Sequence, residues 1–299
     1  MMNYISHASK MTGRRLPVVR ALLMMSALFA LSSASAASNV VTPSVKTTIE
    51  LPLQGVTLEY KANVRLLQVL DDANASSNVN DSGSIGYFPL SAQLFDKTNT
   101  EANKSNKAIE AKKRNVFNQL DAFSVEEPEA KLVKQQLASF QYLNRVFIEL
   151  DRNAVISQSD KNPLLVSSSN TNKSSAAINK ASTSQAQAFS LYLPQRPTSI
   201  QLMGAMKDSV TMNLIEHGTL NDYLDALPNG FVGESADKSV AYVVQPDGVV
   251  QTIQYAYWNE QPVYLAPGAI VFMAFYSLPP EYSTLNQDIV DLLRNKVGL

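Results

Sequence analysis

"SVAYVVQPDGVVQTIQYAYW", Ser239 to Trp258, is the stretch on which the fold turns. Two runs rich in β-branched and aromatic residues flank Pro246-Asp247-Gly248. Proline presets the turn, the aspartate side chain bonds nearby backbone, and glycine accepts a positive φ, so the stretch predicts a β-hairpin. Strand alternation places Tyr255 and Tyr257 on one face and Trp258 on the other, with Trp258 expected in the core.

Working outward, Thr198 to Leu214, "TSIQLMGAMKDSVTMNL", predicts two strands about a Lys207-Asp208 turn. Thr219 is placed to cap a helix, with Asp222 three residues on favouring its N-terminus. Leu220, Tyr223, Leu224 and Leu227 form that helix's apolar face, and Pro228-Asn229-Gly230 ends it. Downstream, "PVYLAPGAIVFMAFY" supplies one or two closing strands bent at Pro267-Gly268. The order strand, strand, helix, strand, strand, strand is that of a small mixed roll.

The first half starts the same way. "TTIELPLQGVTLEYKAN" reads as a hairpin about Gln54-Gly55, and Val64 to Ala73 places Leu66, Leu67 and Leu70 at helical spacing. A polar loop over 74–86 follows. A tandem of two α+β units is the fold class this pattern predicts.

Between the halves the composition shifts twice. Residues 100–144 are rich in Ala, Lys, Glu, Gln and Leu, which favour helix. Phe117, Leu120 and Phe123 make one apolar stripe, and Leu132, Val133, Leu137, Phe140 and Tyr142 another. Pro128 stands where a second helix can start, giving a helical hairpin. Arg145 to Ile156, "RVFIELDRNAVI", alternates and reads as a strand. Residues 167–188 are a low-complexity Ser/Asn/Ala/Lys spacer that divides the two units.

Residues 1–36 are set apart. Lys10, Arg14, Arg15 and Arg20 precede an apolar run too short for a bilayer span, ending in Ala34-Ser35-Ala36. That is the pattern of a cleaved signal peptide. Its removal leaves 21 basic against 26 acidic side chains, a net charge of about −5. Such a balance argues against nucleic acid or an anionic membrane surface as partner. With no cysteine, the exported chain must hold together by packing alone, and thiol catalysis and cysteine-based metal sites are excluded.

The C-terminus predicts an amphipathic helix behind Pro279-Pro280. Thr284 is the expected cap and Gln287 the capping-box partner. Leu285, Ile289, Leu292 and Leu293 fall on one stripe, while Arg294 and Lys296 suit the helix C-terminus. A helix of about 13 residues spans roughly 20 Å, too short to cross a membrane. The stripe either packs on the chain's own domains or docks a partner.

Taken together, "TSIQLMGAM…GTLNDYLDAL…AYVVQPDGVVQTI…W…VYLAPGAIVFM" resembles the soluble-ligand-binding β-grasp domains of polysaccharide export proteins. With "RVFIELD", "NPLL", "LPQRPTSIQLMG" and the terminal "LNQDIVDLLRN", the chain resembles more narrowly the GfcC capsule-biosynthesis family. The resemblance implies two β-grasp domains, over 37–166 and 189–278, a helical hairpin inserted in the first, and a C-terminal helix within 279–299. It implies a periplasmic protein of a Gram-negative cell whose partner is polysaccharide, an outer-membrane polysaccharide export protein, or both. "NRVFIELD" matches a characteristic stretch of that family, except that Asn144 stands where the family has a small residue.

Candidates for chemistry are few. Outside the leader the chain has a single histidine, His217, expected on a surface loop, so a histidine triad or metal site has little to draw on. No metal site and no cofactor are expected. Glu149 and Asp151 share a face of the predicted strand and could form the carboxylate pair of a glycoside hydrolase. Arg145 could fork onto a sugar carboxylate or phosphate, or pair with Asp151 or Glu149 within the fold. The leading expectation is a non-enzymatic accessory factor of capsule or exopolysaccharide assembly. The alternative is a carbohydrate-active enzyme acting on the exported glycan.

Overall fold

The computed structural model describes residues 46–77, 86–98, 104–167, 186–260 and 263–298. The leader at 1–36 and nearly all of the spacer at 167–188 lie outside the described residues. Among the described residues, ten strands form two five-stranded sheets of the same topology. The first contains β1 (Thr47–Leu51), β2 (Val56–Tyr60), β3 (Gln93–Asp96), β4 (Arg145–Val146) and β5 (Gln187–Tyr192), in the spatial order β2-β1-β5-β3-β4. The second contains β6 (Ser199–Gly204), β7 (Val210–Asn213), β8 (Ala236–Val244), β9 (Val250–Gln254) and β10 (Ile270–Phe275), ordered β7-β6-β10-β8-β9. In each sheet the first and last strands run parallel, as Ile49 opposite Phe189 and Phe272 opposite Met203 show, and the other pairs are antiparallel.

Local chemistry explains the hairpins. Gly55 takes a φ of 65° between β1 and β2, and Gly248 a φ of 87° between β8 and β9. In the second turn Asp247 Oδ1 accepts the Val249 amide at 2.9 Å, an Asx-type closure.

Two helices cover the first sheet. α1 (Leu66–Ser77) turns Leu66, Val69, Leu70 and Ala73 onto Ile49, Leu51, Leu94, Phe189 and Leu191. It runs past the predicted end at Ala73 into the stretch read as loop. α4 (Arg152–Ser157) adds Val155 to the same core. The chain 145–156, predicted as one strand, is a two-residue strand and then this helix. Asp151 explains the switch, because its carboxylate accepts the Asn153 amide at 2.9 Å and caps α4.

β10 is buried at every position, because its sheet is covered on both sides. Val271 and Met273 face the core of α5 (Leu220–Asp225), with Leu220, Tyr223 and Ile253. Ile270, Phe272 and Ala274 face the helical hairpin, α2 (Lys104–Phe123) and α3 (Glu129–Ala138), together with α6 (Leu285–Leu293). Phe123 of α2 sets its ring edge-on to Phe275 at 5.3 Å. The hairpin is inserted between β3 and β4 of the first sheet but packs on the second.

Polar clasps fix that docking. The Gln136 amide donates to the carbonyls of Gly204 and Met206, each at 3.2 Å, and accepts the Gly204 N–H at 2.8 Å. Glu129 accepts the amides of Glu234 and Ser235 at 2.9 and 3.2 Å, together with the Ser235 hydroxyl.

Two further expectations are corrected, and one pair of alternatives is decided. β5 lies at the centre of the first sheet, so a boundary at 189 cuts through this strand. The terminal helix has nine residues, and its predicted cap is not formed: the Thr284 hydroxyl and Gln287 amide donate instead to Asp288 and Asp291. Its stripe offers no docking face, since Leu285, Ile289, Leu292 and Leu293 are at most 2% exposed, buried against α2 and β10. Among the described residues, no helix is long and apolar enough to cross a membrane.

Candidate functional site

Arg145 heads β4 opposite Phe95, and only 8% of it is exposed. Its guanidinium reaches out of the first sheet into the turn of the second. Nη2 donates to the Pro246 carbonyl at 2.6 Å and, more loosely, to the Ala92 carbonyl at 3.4 Å. The Asn295 side chain accepts the Arg145 amide at 3.2 Å. Arg294 grips the same turn, donating from Nε to the Gly248 carbonyl at 2.8 Å. Phe147 fills the space between them, its ring centroid 4.5 Å from the Arg294 guanidinium and 5.4 Å from that of Arg145. A Cβ on Gly248 would stand 2.4 Å from the Phe147 ring, so this approach needs glycine as much as the positive φ does.

Burial pulls the Arg145 pKa down to about 10; the nearby Asp247 opposes the shift and Arg294 adds to it. Arg145 is therefore still a cation at neutral pH. The expected ion pair with Glu149 or Asp151 is not formed. Both acids are engaged elsewhere.

Glu149 accepts the Asp151 amide at 3.0 Å and pairs with Lys161 at 3.1 Å. That backbone bond, with help from Lys161, holds its carboxyl below the usual range against the effect of burial. Asp151 caps α4, as described above. Because the segment leaves the strand after Val146, the shared-face argument for the two carboxylates does not apply. Tyr87 braces the segment, donating to the Leu150 carbonyl at 2.6 Å and accepting the Arg152 amide at 3.2 Å.

Arg145, Glu149 and Asp151 nevertheless line one open cleft of about 910 Å³, with Phe88, Phe147, Asp160, Lys161 and Asp247. Asp247 is the contribution of the second sheet's hairpin to a cleft otherwise built from the first half. The walls combine aromatic rings, an ammonium and several carboxylates around a buried guanidinium. They can hold a hydroxylated ligand by hydrogen bonds and ring stacking. A glycosidase acid needs a raised pKa, and Glu149 is shifted the other way. Among the described residues, no group of three or more His, Asp or Glu side chains is arranged to hold a metal ion.

Other candidates resolve simply. His217 lies exposed on a turn at a φ of 59°. β9 ends at Gln254, so the alternation predicted through Trp258 stops short. Tyr255 is buried with its hydroxyl on the Asp237 carbonyl, while Trp258 is 66% exposed and meets the exposed Tyr257 edge-on at 4.9 Å. The expected core position of Trp258 is thus corrected. Lys296, read only as a helix-end charge, turns into the interior, a reversal that no local sequence signal marks.

Residues 208–298, from just before β7 to the end of the described chain, match the model of the capsule biosynthesis GfcC C-terminal family. A curated relative, the uncharacterized protein YjbG of Escherichia coli (strain K12), is 29% identical over 115 residues. That alignment covers 36% of this chain and 44% of YjbG, less than half of the relative's length. The matched region takes in the hairpin that Arg145 and Arg294 hold, and the terminal helix buried behind it. Over residues 208–298 the chain is thus similar to the C-terminal domain of the GfcC capsule-biosynthesis family, and over part of its length it is similar to YjbG.

Proposed function

We propose that this protein is a periplasmic accessory factor of capsule or exopolysaccharide assembly that binds the polysaccharide in the Arg145 cleft. In this reading the leader is a cleaved signal peptide, and the two sheets are tandem β-grasp domains. Their common strand order, with a central parallel pair, supports the second point. The observation that carries the reading is the cleft itself. It is about 910 Å³, the size of a small-molecule site, and mixes aromatic, cationic and carboxylate groups. Binding is favoured over cleavage because Glu149 is held ionised and Asp151 caps a helix.

Capsular polysaccharide from the bacterium that makes the protein, titrated into the purified chain by calorimetry, tests this. Saturable binding, weakened by Phe147→Ala and by Arg145→Lys while thermal unfolding stays cooperative, is the expected result. Absence of binding by the wild type removes the glycan reading and leaves the export protein as partner.

A further inference from the structure

A second cleft, of about 640 Å³, is lined by residues of both sheets. Gln93 of β3 and Tyr192 of β5 contribute from the first sheet, Ser199 and Gln201 of β6 and Thr211 of β7 from the second. The lining is hydroxyls, amides, aromatic rings, prolines and the aliphatic side chains of Leu53, Ile200, Ile270 and Val297, with a single charged group, Lys296.

Lys296 is 8% exposed. Its ammonium donates to the Gly298 carbonyl at 3.1 Å and stands 4.9 Å from the Phe140 ring centroid. An ammonium has three donors, and no carboxylate pairs with this one among the described residues. Ser91, fully buried and also lining the cleft, leaves its hydroxyl without a hydrogen-bond partner. A buried cation without a counter-ion among the described residues and a buried hydroxyl without a partner are both unfavourable, and here they line one cavity. An anionic ligand in the cleft can relieve the first.

The position of Lys296 is fixed by residues that themselves line the cleft. The Gln93 side chain accepts the Gly298 amide at 2.9 Å and donates to the Lys296 carbonyl at 3.4 Å. The Val297 amide donates to the Gln141 carbonyl at 2.9 Å. The ammonium is therefore presented by backbone that the first sheet and the loop after α3 hold in place, the arrangement of a preorganised site.

We propose that this cleft binds a hydroxylated monocarboxylate, such as a single acidic sugar unit, with its carboxylate on the Lys296 ammonium and its hydroxyls on the serine and amide lining. One cation and no acid in the lining fit a ligand of one negative charge. The aromatic rings of Phe140 and Tyr192 suit the apolar face of a sugar ring. Burial lowers the Lys296 pKa to about 8, so the group still carries its proton at neutral pH. The site is separate from the Arg145 cleft and does not depend on the reading given to it.

The test is titration of the full chain with sodium glucuronate, glucose and sodium acetate, followed by calorimetry and by two-dimensional NMR. Glucuronate is expected to bind saturably and at least about tenfold more tightly than glucose or acetate, equivalent to about 1.4 kcal/mol. Lys296→Met and the rim substitution Thr211→Trp are each expected to abolish this preference, and Phe147→Ala to leave it unchanged. Thr211 is exposed on an edge strand, so its variant keeps the test valid should Lys296→Met fold poorly. Equal affinity for glucuronate and glucose, no saturable binding, or an unchanged preference in both cleft variants would overturn the proposal.

Discussion

The Arg145 guanidinium donates to the Pro246 carbonyl at 2.6 Å, joining the edge strand of the first sheet to the hairpin turn of the second. The bond crosses 101 residues of sequence and is buried. With Arg294 on the Gly248 carbonyl, it fixes how the Asp247 carboxylate is presented to the cleft. Arg145 is thus a joint between sheets as well as a wall of the candidate site.

Removing that joint is expected to destabilise the fold. Arg145→Ala leaves the Pro246 and Ala92 carbonyls without this donor while keeping the backbone bond to Asn295, and hydrogen bonds to charged groups contribute about 1.5–3 kcal/mol each. A loss of about 2–3 kcal/mol in urea unfolding is expected, with Arg145→Lys losing less because it keeps the charge.

Lys296 predicts an opposite sign. Its folded pKa, about 8, lies below the unfolded value, so between those values the unfolded chain binds more protons. Stability contributed by this group therefore rises with pH above 8, and below 8 the full burial penalty is present. Lys296→Met is expected to be more stable than the wild type at pH 7 by on the order of 1–3 kcal/mol. The advantage should shrink between pH 8 and about 10, as measured by urea unfolding of both proteins across that range. Among the described residues, the other ionisable groups beside this residue are Tyr142, which forms a β-bridge with it, Tyr192 in the cleft and Arg145 in the adjoining cavity, and the wild-type-minus-variant difference removes their contribution to first order.

The Gln136 clasp predicts a strong effect from a volume-conserving change. Gln136→Leu leaves the Gly204 amide and the Met206 carbonyl without this partner in the interior, while the Gly204 carbonyl keeps the Met206 amide at 2.7 Å. A loss of about 2–3 kcal/mol is expected from unfolding curves, and a smaller one from Gln136→Met only if water enters.

The terminal helix is core. Ile289 is fully buried in the cluster that joins α2, α3 and β10, and Ile289→Ala is expected to lower stability by about 2–4 kcal/mol. An unchanged unfolding midpoint would mean that the helix stands off the sheet.

Hairpins were legible because their turns carry local chemistry: Gln54-Gly55, Lys207-Asp208 and Pro246-Asp247-Gly248 each lie between strands as read. So was the helical hairpin, from its composition and Pro128. β5 was not, because it sits between a low-complexity run and the proline-rich Pro194 to Pro197, and its pairing partners are distant in sequence. In "RVFIELDRNAVI" the apolar alternation outweighed Asp151, whose capping role is the signal that separates β4 from α4. At the site, grouping Arg145, Glu149 and Asp151 follows from their closeness in sequence, and all three do line one cleft. What each side chain bonds to depends on Pro246, Lys161 and Asn153, of which only the last is a near neighbour of its partner. The burial of Lys296 is set by tertiary packing alone and leaves no periodic trace.

The most direct measurement is hydrogen–deuterium exchange of the full chain with and without the capsular polysaccharide. The account predicts added protection over 145–151, 159–163 and 245–249, the segments that wall the Arg145 cleft. No change in exchange anywhere, or protection confined to segments away from that cleft, would contradict it.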